Sequence, residues 1–204
     1  MSQRRRFTRF TRFTPFVAFA AAVIAITALG ATALAATRGP VAPTAAYVSQ
    51  TLGYEVQLPG GWRRSTTLSA LVRNGNLKLG HEVFTIRTVA DETGVLTDPG
   101  PGAAWSYVAV VEQWRDPAGW TAMAWATDPL LAGWAQGQVV ETAVIDGHVA
   151  AKVTNGPRFS VAYYVQDNGR MFVVGYKVDA PDWKPSAATE ADLRSIVASF
   201  HVTP

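Results

Sequence analysis

The segments 54–58 and 82–89 alternate hydrophobic with polar residues, which is the pattern of β-strands that have one buried face. The run Pro59-Gly60-Gly61 ends the first of them. The segment 107–114 is almost continuously hydrophobic, as expected of a central strand that is covered on both faces. These patterns predict a sheet with at least one fully buried strand.

The second half of the chain has the pattern of a series of hairpins. Three Asx-Gly pairs, which are the strongest short-range hairpin signal, separate four runs of strand-forming residues. The pairs are Asp146-Gly147, Asn155-Gly156 and Asn168-Gly169, and the runs are 138–145, 148–154, 158–166 and 170–178. An antiparallel meander is therefore predicted over 138–178.

Helices are predicted in the middle and at the end of the chain. Asp116-Pro117 and Asp128-Pro129 each place a capping aspartate before a proline at the first helical position. The clearest helix has one apolar stripe, formed by Leu193, Ile196, Val197 and Phe200. Strands outnumber helices, so the expected fold is an α+β domain with a twisted, mainly antiparallel sheet flanked by helices.

The first 36 residues carry a targeting pattern. Met1–Phe13 contains five arginines and no acid, and Phe16–Ala36 follows without a charge. A basic flank before an apolar run is recognised by the export machinery, so we expect the rest of the chain to be extracytoplasmic. The expected organisation is a signal peptide or N-terminal membrane anchor over 1–36, a linker over 37–46 and a globular domain over 47–204.

Cleavage and retention of the N-terminal segment are both open. Ala33 and Ala35 provide the small residues that signal peptidase accepts, and cleavage would yield a secreted protein. Retention would leave a single-pass anchor with its N-terminus in the cytoplasm, since this length of helix spans about 30 Å. The export route is open as well. Arg4-Arg5-Arg6-Phe7 resembles the twin-arginine signal, and an ordinary arginine-rich flank of the general secretion route fits the same residues.

Charge and cysteine content narrow the possible functions of the exported part. Without the five N-terminal arginines, 13 of the 18 basic residues remain against 15 acidic ones. No basic surface is therefore left to indicate a nucleic-acid partner. The chain has no cysteine, so disulfides and a cysteine-linked lipid are excluded, and stability must come from an ordinary apolar core.

Three segments of the chain occur in the order that is typical of a known protein family. They are Leu52–Trp62, a strand that ends in P-x-x-W; Val144–Ala150, a turn with the pattern apolar-x-G-x-x-A; and Ile196–Phe200, a helix end with the pair S-F. In this order they resemble the PsbP-like family, which shares an α/β/α sandwich with the Ran-binding Mog proteins. The resemblance spans about Tyr47–Val202 and implies the same sandwich fold.

The resemblance implies a non-catalytic accessory or binding module, because domains of this family share no catalytic residues. The expected partner is a protein or a component of the cell envelope, with membrane contact through the N-terminal segment if that segment is uncleaved. No cofactor is expected. A pocket for a small ligand or a glycan is the alternative function, and an extracytoplasmic hydrolase is the less favoured one.

Motifs for catalysis and metal binding are absent from the sequence. The three histidines, His81, His148 and His201, have neither H-E-x-x-H nor H-x-H spacing, so no local metal site is predicted. There is no cysteine nucleophile, no G-x-S-x-G turn and no glycine-rich nucleotide loop. A hydrolase would have to combine His148 with Asp146 and a serine brought in by the fold. No catalytic residue is therefore assigned.

Tryptophan is the best lead to a functional surface. Five of the seven tryptophans fall within 30 residues, around the two predicted mid-chain helices. The indole offers a large flat face and one N–H donor, which suits glycan stacking, partner contacts and membrane interfaces. Trp120, Trp125 and Trp134 are the candidate residues of the binding surface, and packing in the core stays open as their competing role. Trp62 and Trp114, which adjoin strand ends, are expected in the core.

Overall fold

The computed structural model describes residues 44–71, 77–89, 92, 107–116, 118–178 and 187–204. All of the described residues belong to one compact unit. The predicted targeting segment, including Ala33 and Ala35, lies outside the described residues, and so does Trp105. Neither helix of the described ranges has the length and apolar character of a membrane span.

The described ranges contain eleven strands and two helices. The strands are β1 Thr44–Ser49, β2 Tyr54–Pro59, β3 Arg63–Arg64, β4 Ala70–Leu71, β5 Lys78–Thr85, β6 Val108–Arg115, β7 Val139–Ile145, β8 His148–Thr154, β9 Val161–Asp167, β10 Arg170–Lys177 and β11 His201–Val202. The helices are α1 Ala122–Thr127 and α2 Ala187–Ala198. The main sheet has the order β3-β5-β6-β10-β9-β8-β7, with β4 paired to β5, and a small sheet has the order β1-β2-β11.

All strand pairs in these two sheets are antiparallel, and the predicted meander is confirmed as β7 to β10. Asp146, Asn155 and Asn168 have φ values of 52°, 55° and 46°. Asn155 begins the longer loop between Thr154 and Val161, whereas Asp146 and Asn168 occupy tight turns. Asx residues adopt the left-handed region more readily than other non-glycine residues, which explains their place in these turns. The pairing therefore continues directly across the turn, so that Ile145 lies opposite His148.

The central strand β6 is buried on both faces, as its continuous apolar run predicts. Ala109 and Val111 belong to the first core, and Val108 and Val110 belong to the second core on the opposite face of the main sheet. The small sheet and α2 cover the first core, whereas α1 packs into the second. The two cores account for most of the buried apolar side chains.

The mainly antiparallel sheet is confirmed, but the described part of the chain is not a clean α/β/α sandwich. On the first-core side, Tyr54, Val56 and Leu58 of β2 are buried next to α2, so a sheet shares the covering role with a helix. On the second-core side, α1 has only six residues. A six-residue helix is too short to cover an eight-stranded sheet as a full helical layer would.

The start of the globular domain also differs from the expected one. β1 begins at Thr44, three residues before the expected start at Tyr47. Thr44 pairs with Pro59 at the far end of β2, so residues assigned to the linker form part of the small sheet. An alanine-rich strand of this kind gains its structure from its partner rather than from its own propensity.

The mid-chain helices differ from the prediction as well. α1 begins after Thr121, whose hydroxyl accepts a hydrogen bond from the helix backbone at 3.1 Å, rather than after Asp116. Asp128 does not start a helix. Its Oδ1 accepts hydrogen bonds from the backbone N–H groups of Leu130 and Leu131, at 2.8 and 3.1 Å, and so fixes a turn.

Candidate functional site

A cavity of about 340 Å³ opens on the second-core face of the main sheet. Its lining side chains come from β5, β6, β10 and the loop between β8 and β9. They are Lys78, His81, Val110, Glu112, Arg158, Phe159 and Lys177. Within the described residues, the cavity at Glu112 combines three cationic side chains with one carboxylate, one imidazole and two apolar side chains.

Glu112 is at the centre of the polar contacts and is only 3% exposed. Its Oε1 accepts hydrogen bonds from Nζ of Lys78, at 2.6 Å, and from Nη2 of Arg158. Its Oε2 accepts one from Nε1 of Trp114 at 3.2 Å. Pairing of β5 with β6 sets Lys78 opposite Trp114 and His81 opposite Glu112, so the sheet register builds this half of the site.

The electrostatics of the cavity keep Glu112 ionised. Burial acts to raise the pKa of Glu112, but the charges and hydrogen bonds of Arg158 and Lys78 outweigh it and hold the pKa below its ordinary value. Burial and the nearby charge of Lys78 lower the pKa of His81, which is therefore neutral at neutral pH. The described lining thus has three positive charges and one negative charge.

Aromatic and apolar side chains hold the cations in place and form the rest of the wall. Nζ of Lys78 lies 5.3 Å from the ring centroid of Trp114, and Cζ of Arg158 lies 5.2 Å from that of Phe159. Both distances are within the range of attractive cation–π contacts. Val110 is almost fully buried. The lining therefore combines cationic with apolar side chains, a combination that suits an anion carrying an apolar group.

The three tryptophans expected on the binding surface do not share one environment. Trp134 is 72% exposed and Trp120 is 38% exposed, whereas Trp125 is 3% exposed. Trp125 is a core residue, because its side chain points from α1 into the second core and meets Trp114 edge to face at 6.2 Å. Trp62 is buried, as expected, and donates from Nε1 to Asp192. Only Trp120 and Trp134 of the expected set offer ring surface.

The Asp146–His148 pair is joined by His201 from the end of the chain. Nδ1 of His201 lies 2.5 Å from Oδ1 of Asp146, and the backbone N–H of Val202 donates to Oδ2 at 2.9 Å. His148 is 3.9 Å from the same carboxylate, beyond hydrogen-bond distance. No serine of the described residues is hydrogen-bonded to His148, and no cluster of three metal-ligating side chains occurs among them. Asp146 thus connects the β7–β8 turn to β11 through His201 and Val202.

Replacing Asp146 by asparagine should lower the free energy of unfolding by about 1 kcal/mol near neutral pH, since a charged acceptor is lost while the turn is kept. Burial acts to raise the pKa of Asp146, but the hydrogen bonds from His201 and Val202 hold it below its ordinary 3.8. A lowered pKa stabilises the fold above about pH 4 and loses that effect as the pH falls through the lowered value. Urea unfolding of both proteins across the acid range measures this. If wild type and Asp146→Asn differ in their free energy of unfolding by the same amount at about pH 3 and at pH 7, the prediction is wrong.

The residues of the cavity at Glu112 were not singled out by the sequence patterns. They are distributed over three strands and one loop, so no local spacing connects them. One signal was present: Glu112 and Gln113 interrupt an otherwise apolar strand that is buried on both faces. A charged side chain at such a position must have a partner, because burying it alone is too costly.

No protein-family model matches the chain, and no curated protein matches it. Among solved structures, the chain is similar to the solution structure of cyanobacterial PsbP from Synechocystis sp. PCC 6803. The identity is 16%, and the match covers 81% of this chain and 95% of that chain, with a TM-score of 0.41. A TM-score of this size supports no argument about function. The matched protein is a PsbP, the family that the three sequence segments also resemble.

Proposed function

We propose that the globular domain is a non-catalytic binding module whose cavity at Glu112 holds a small anion with an apolar group. The supporting observation is that Lys78 and Arg158 line the same space and share the carboxylate of Glu112. Glu112 takes one donor from Lys78 and one from Arg158, whereas an ammonium has three N–H donors and a guanidinium has five. A ligand carboxylate or phosphate would bind to further donors at the mouth of the cavity.

The apolar residues of the lining restrict the ligand further. Phe159 and Val110 give a wall on which an aromatic or aliphatic group would pack, and the volume of about 340 Å³ suits a small molecule. An inorganic anion would leave this wall unfilled. We therefore expect an organic carboxylate or a phosphate ester of metabolite size.

The targeting pattern of residues 1–36 supports action outside the cytoplasmic membrane. The module would be secreted if the chain is cut after Ala35, and tethered to the membrane if Phe16–Ala36 is retained. In either case it would serve as an accessory to a protein or another component of the cell envelope. Edman sequencing of the mature N-terminus distinguishes the two forms.

A protein or envelope component bound through Trp134 is the second candidate function. Trp134 is 72% exposed, and Leu130, four residues earlier in the same segment, is 93% exposed. The segment is ordered by hydrogen bonds to Asp128, and Gly133 packs closely against Pro157. Large apolar side chains that are held out on an ordered turn are typical of partner contacts.

The anion proposal can be tested by titrating the full chain, in mild detergent, with phenyl phosphate. Trp114 contacts both Lys78 and Glu112, so tryptophan fluorescence should report binding. Lys177→Gln removes one cation of the lining without touching Glu112, and we expect it to weaken binding about tenfold, as for the loss of one charge-assisted hydrogen bond. Phenol, which has the ring without the charge, should bind far more weakly.

The matched control is Lys152→Gln, at a lysine on the opposite face of the main sheet that is bonded to Glu141. It should leave the affinity for phenyl phosphate unchanged. The proposal fails if phenol and phenyl phosphate bind equally, or if the two lysine variants have the same effect.

A further inference from the structure

A groove of about 400 Å³ runs along α2 on the first-core face of the main sheet. Its side chains come from β8, β9, β10 and α2: Lys152, Thr154, Val161, Tyr163, Tyr176, Arg194, Val197 and Ala198. Helix α2 packs on β2, β6 and β10, whereas the sheet continues outwards through β9 and β8. The groove therefore lies between the edge of α2 and the half-buried part of β8 and β9 that carries Thr154 and Val161.

Two cross-strand rows of side chains form the floor of this groove. Lys152 lies opposite Tyr163 in the β8–β9 pair, and Thr154 lies opposite Val161 one row further along. Val161 in turn lies opposite Tyr176 of β10. One row of the floor therefore contains a cation and an aromatic ring. The next row contains a hydroxyl group, an apolar side chain and a second tyrosine.

Two cationic side chains line the groove, Lys152 from β8 and Arg194 from α2. Nζ of Lys152 is 2.6 Å from Oε1 of Glu141, and Nη2 of Arg194 is 2.5 Å from Oε1 of Glu190. Both carboxylates belong to exposed side chains outside the groove lining, and exposed pairs of this kind are weak. These glutamates orient the two cations, and each cation has more donors than one carboxylate oxygen accepts.

Between the cations lie groups that suit a polyhydroxylated ligand. Tyr163 and Thr154 are both half-buried and line the groove, so that an aromatic residue and a hydroxyl-bearing residue share its floor. Tyr176 and Arg194 line the groove together. A tyrosine ring packs well against the apolar face of a sugar ring, and hydroxyl groups donate to and accept from sugar hydroxyls.

We propose that this groove is a binding site for an acidic sugar of the hexuronate class. The carboxylate would bind to one of the two cations, Lys152 or Arg194, and a sugar hydroxyl would bind to the other. The pyranose ring would pack on Tyr163, and Thr154 would hydrogen-bond a further hydroxyl. A simple anion would use the cations but not Tyr163, and a neutral sugar would leave the cations without a new partner. The groove and the cavity at Glu112 lie on opposite faces of the main sheet, so the two sites are independent of each other.

The test is isothermal titration of the full chain, in mild detergent, with sodium glucuronate and with glucose. We expect glucuronate to bind and glucose to bind far more weakly. Lys152→Gln and Arg194→Gln should each weaken glucuronate binding about tenfold, the effect of one lost charge-assisted hydrogen bond. Both side chains are partly exposed, at 29% and 66%, so circular dichroism should show that the variants keep their fold.

The matched controls are Arg115→Gln, at an exposed arginine of β6, and Lys177→Gln in the cavity at Glu112. Neither should change the affinity for glucuronate. Because no tryptophan lines the described groove, glucuronate should also leave the tryptophan fluorescence unchanged, unlike phenyl phosphate. The proposal is overturned if glucose binds as tightly as glucuronate, or if Lys152→Gln and Arg194→Gln bind glucuronate normally. It is also overturned if Lys177→Gln weakens the binding of glucuronate as much as the two groove variants do.

A second experiment distinguishes an envelope polysaccharide from a free sugar acid as the ligand of the groove. A glucuronate-containing oligosaccharide that binds more tightly than the monomer, and loses this binding in Lys152→Gln, supports a site for an envelope polysaccharide. Equal affinities for the monomer and the oligosaccharide support a site for the free sugar acid.

Discussion

Replacing Glu112 by glutamine should lower the free energy of unfolding by about 3 kcal/mol while tightening the binding of phenyl phosphate. Removing one partner of a buried ion pair costs about 3–5 kcal/mol, because the remaining charges lose their counter-ion. Lys78 and Arg158 are 22% and 37% exposed, so water can replace part of the lost interaction, and we expect the lower end of that range. Urea unfolding with an unchanged m-value measures the effect.

The gain in binding has the same physical origin as the loss of stability. Glu112 repels an incoming anion and occupies one N–H donor each of Lys78 and Arg158. Glutamine removes the negative charge, so both cations become available to the ligand. We expect the affinity for phenyl phosphate to rise about tenfold, which corresponds to about 1.4 kcal/mol.

Acid should remove the stability difference between wild type and Glu112→Gln. The pKa of Glu112 is held below its ordinary 4.5 in the folded protein. The ionised carboxylate therefore stabilises the fold above about pH 4.5, and this contribution is lost as the pH falls through the lowered pKa. The two proteins should consequently approach each other in stability towards the acid end of a pH series.

Glu141→Gln is the control for the Glu112 variant. Glu141 also accepts a hydrogen bond from a lysine at 2.6 Å, but its side chain is 53% exposed. An exposed pair contributes less than about 1 kcal/mol. If both glutamine variants shift the urea midpoint by the same small amount, Glu112 is not a buried counter-ion and the proposed cavity loses its basis.

The elements that the sequence predicted best are those whose signal is local. Alternation defined β2, and the pairs Asp146-Gly147 and Asn168-Gly169 defined two turns of the meander, since a tight turn depends on the φ values of its own residues. The small sheet was not predicted. β1 exists because it pairs with β2, and that pairing is not visible in the sequence of β1 alone.

The cavity at Glu112 could not be predicted because it depends on register and on long-range contacts. A register shift between Lys78 and Gly80 determines which residues of β5 face Glu112. Arg158 comes from a loop that is 46 residues further along the chain than Glu112. A charged residue inside an apolar strand predicts that a partner exists, but it does not identify the partner.

The environments of the tryptophans were partly visible in the sequence. Ala122, Trp125 and Ala126 are spaced i, i+3 and i+4, which is the buried stripe of a short helix, and all three are buried in the second core. Trp134 follows Gly133 in an irregular segment, where no periodicity indicates burial or exposure. Local helical spacing would therefore have assigned Trp125 to the core but could not have assigned Trp134.

Trp125→Ala should lower the free energy of unfolding by about 3–5 kcal/mol, since it removes a fully buried indole and leaves a cavity against Trp114. Trp134→Ala removes the same side chain from a position that is 72% exposed, and it should change stability by less than about 0.5 kcal/mol. Urea unfolding of the two variants measures both values. A loss of more than about 2 kcal/mol in Trp134→Ala would mean that this indole is buried against another part of the protein. In that case Trp134 would be a packing residue, and the turn that carries it would offer no surface for a partner.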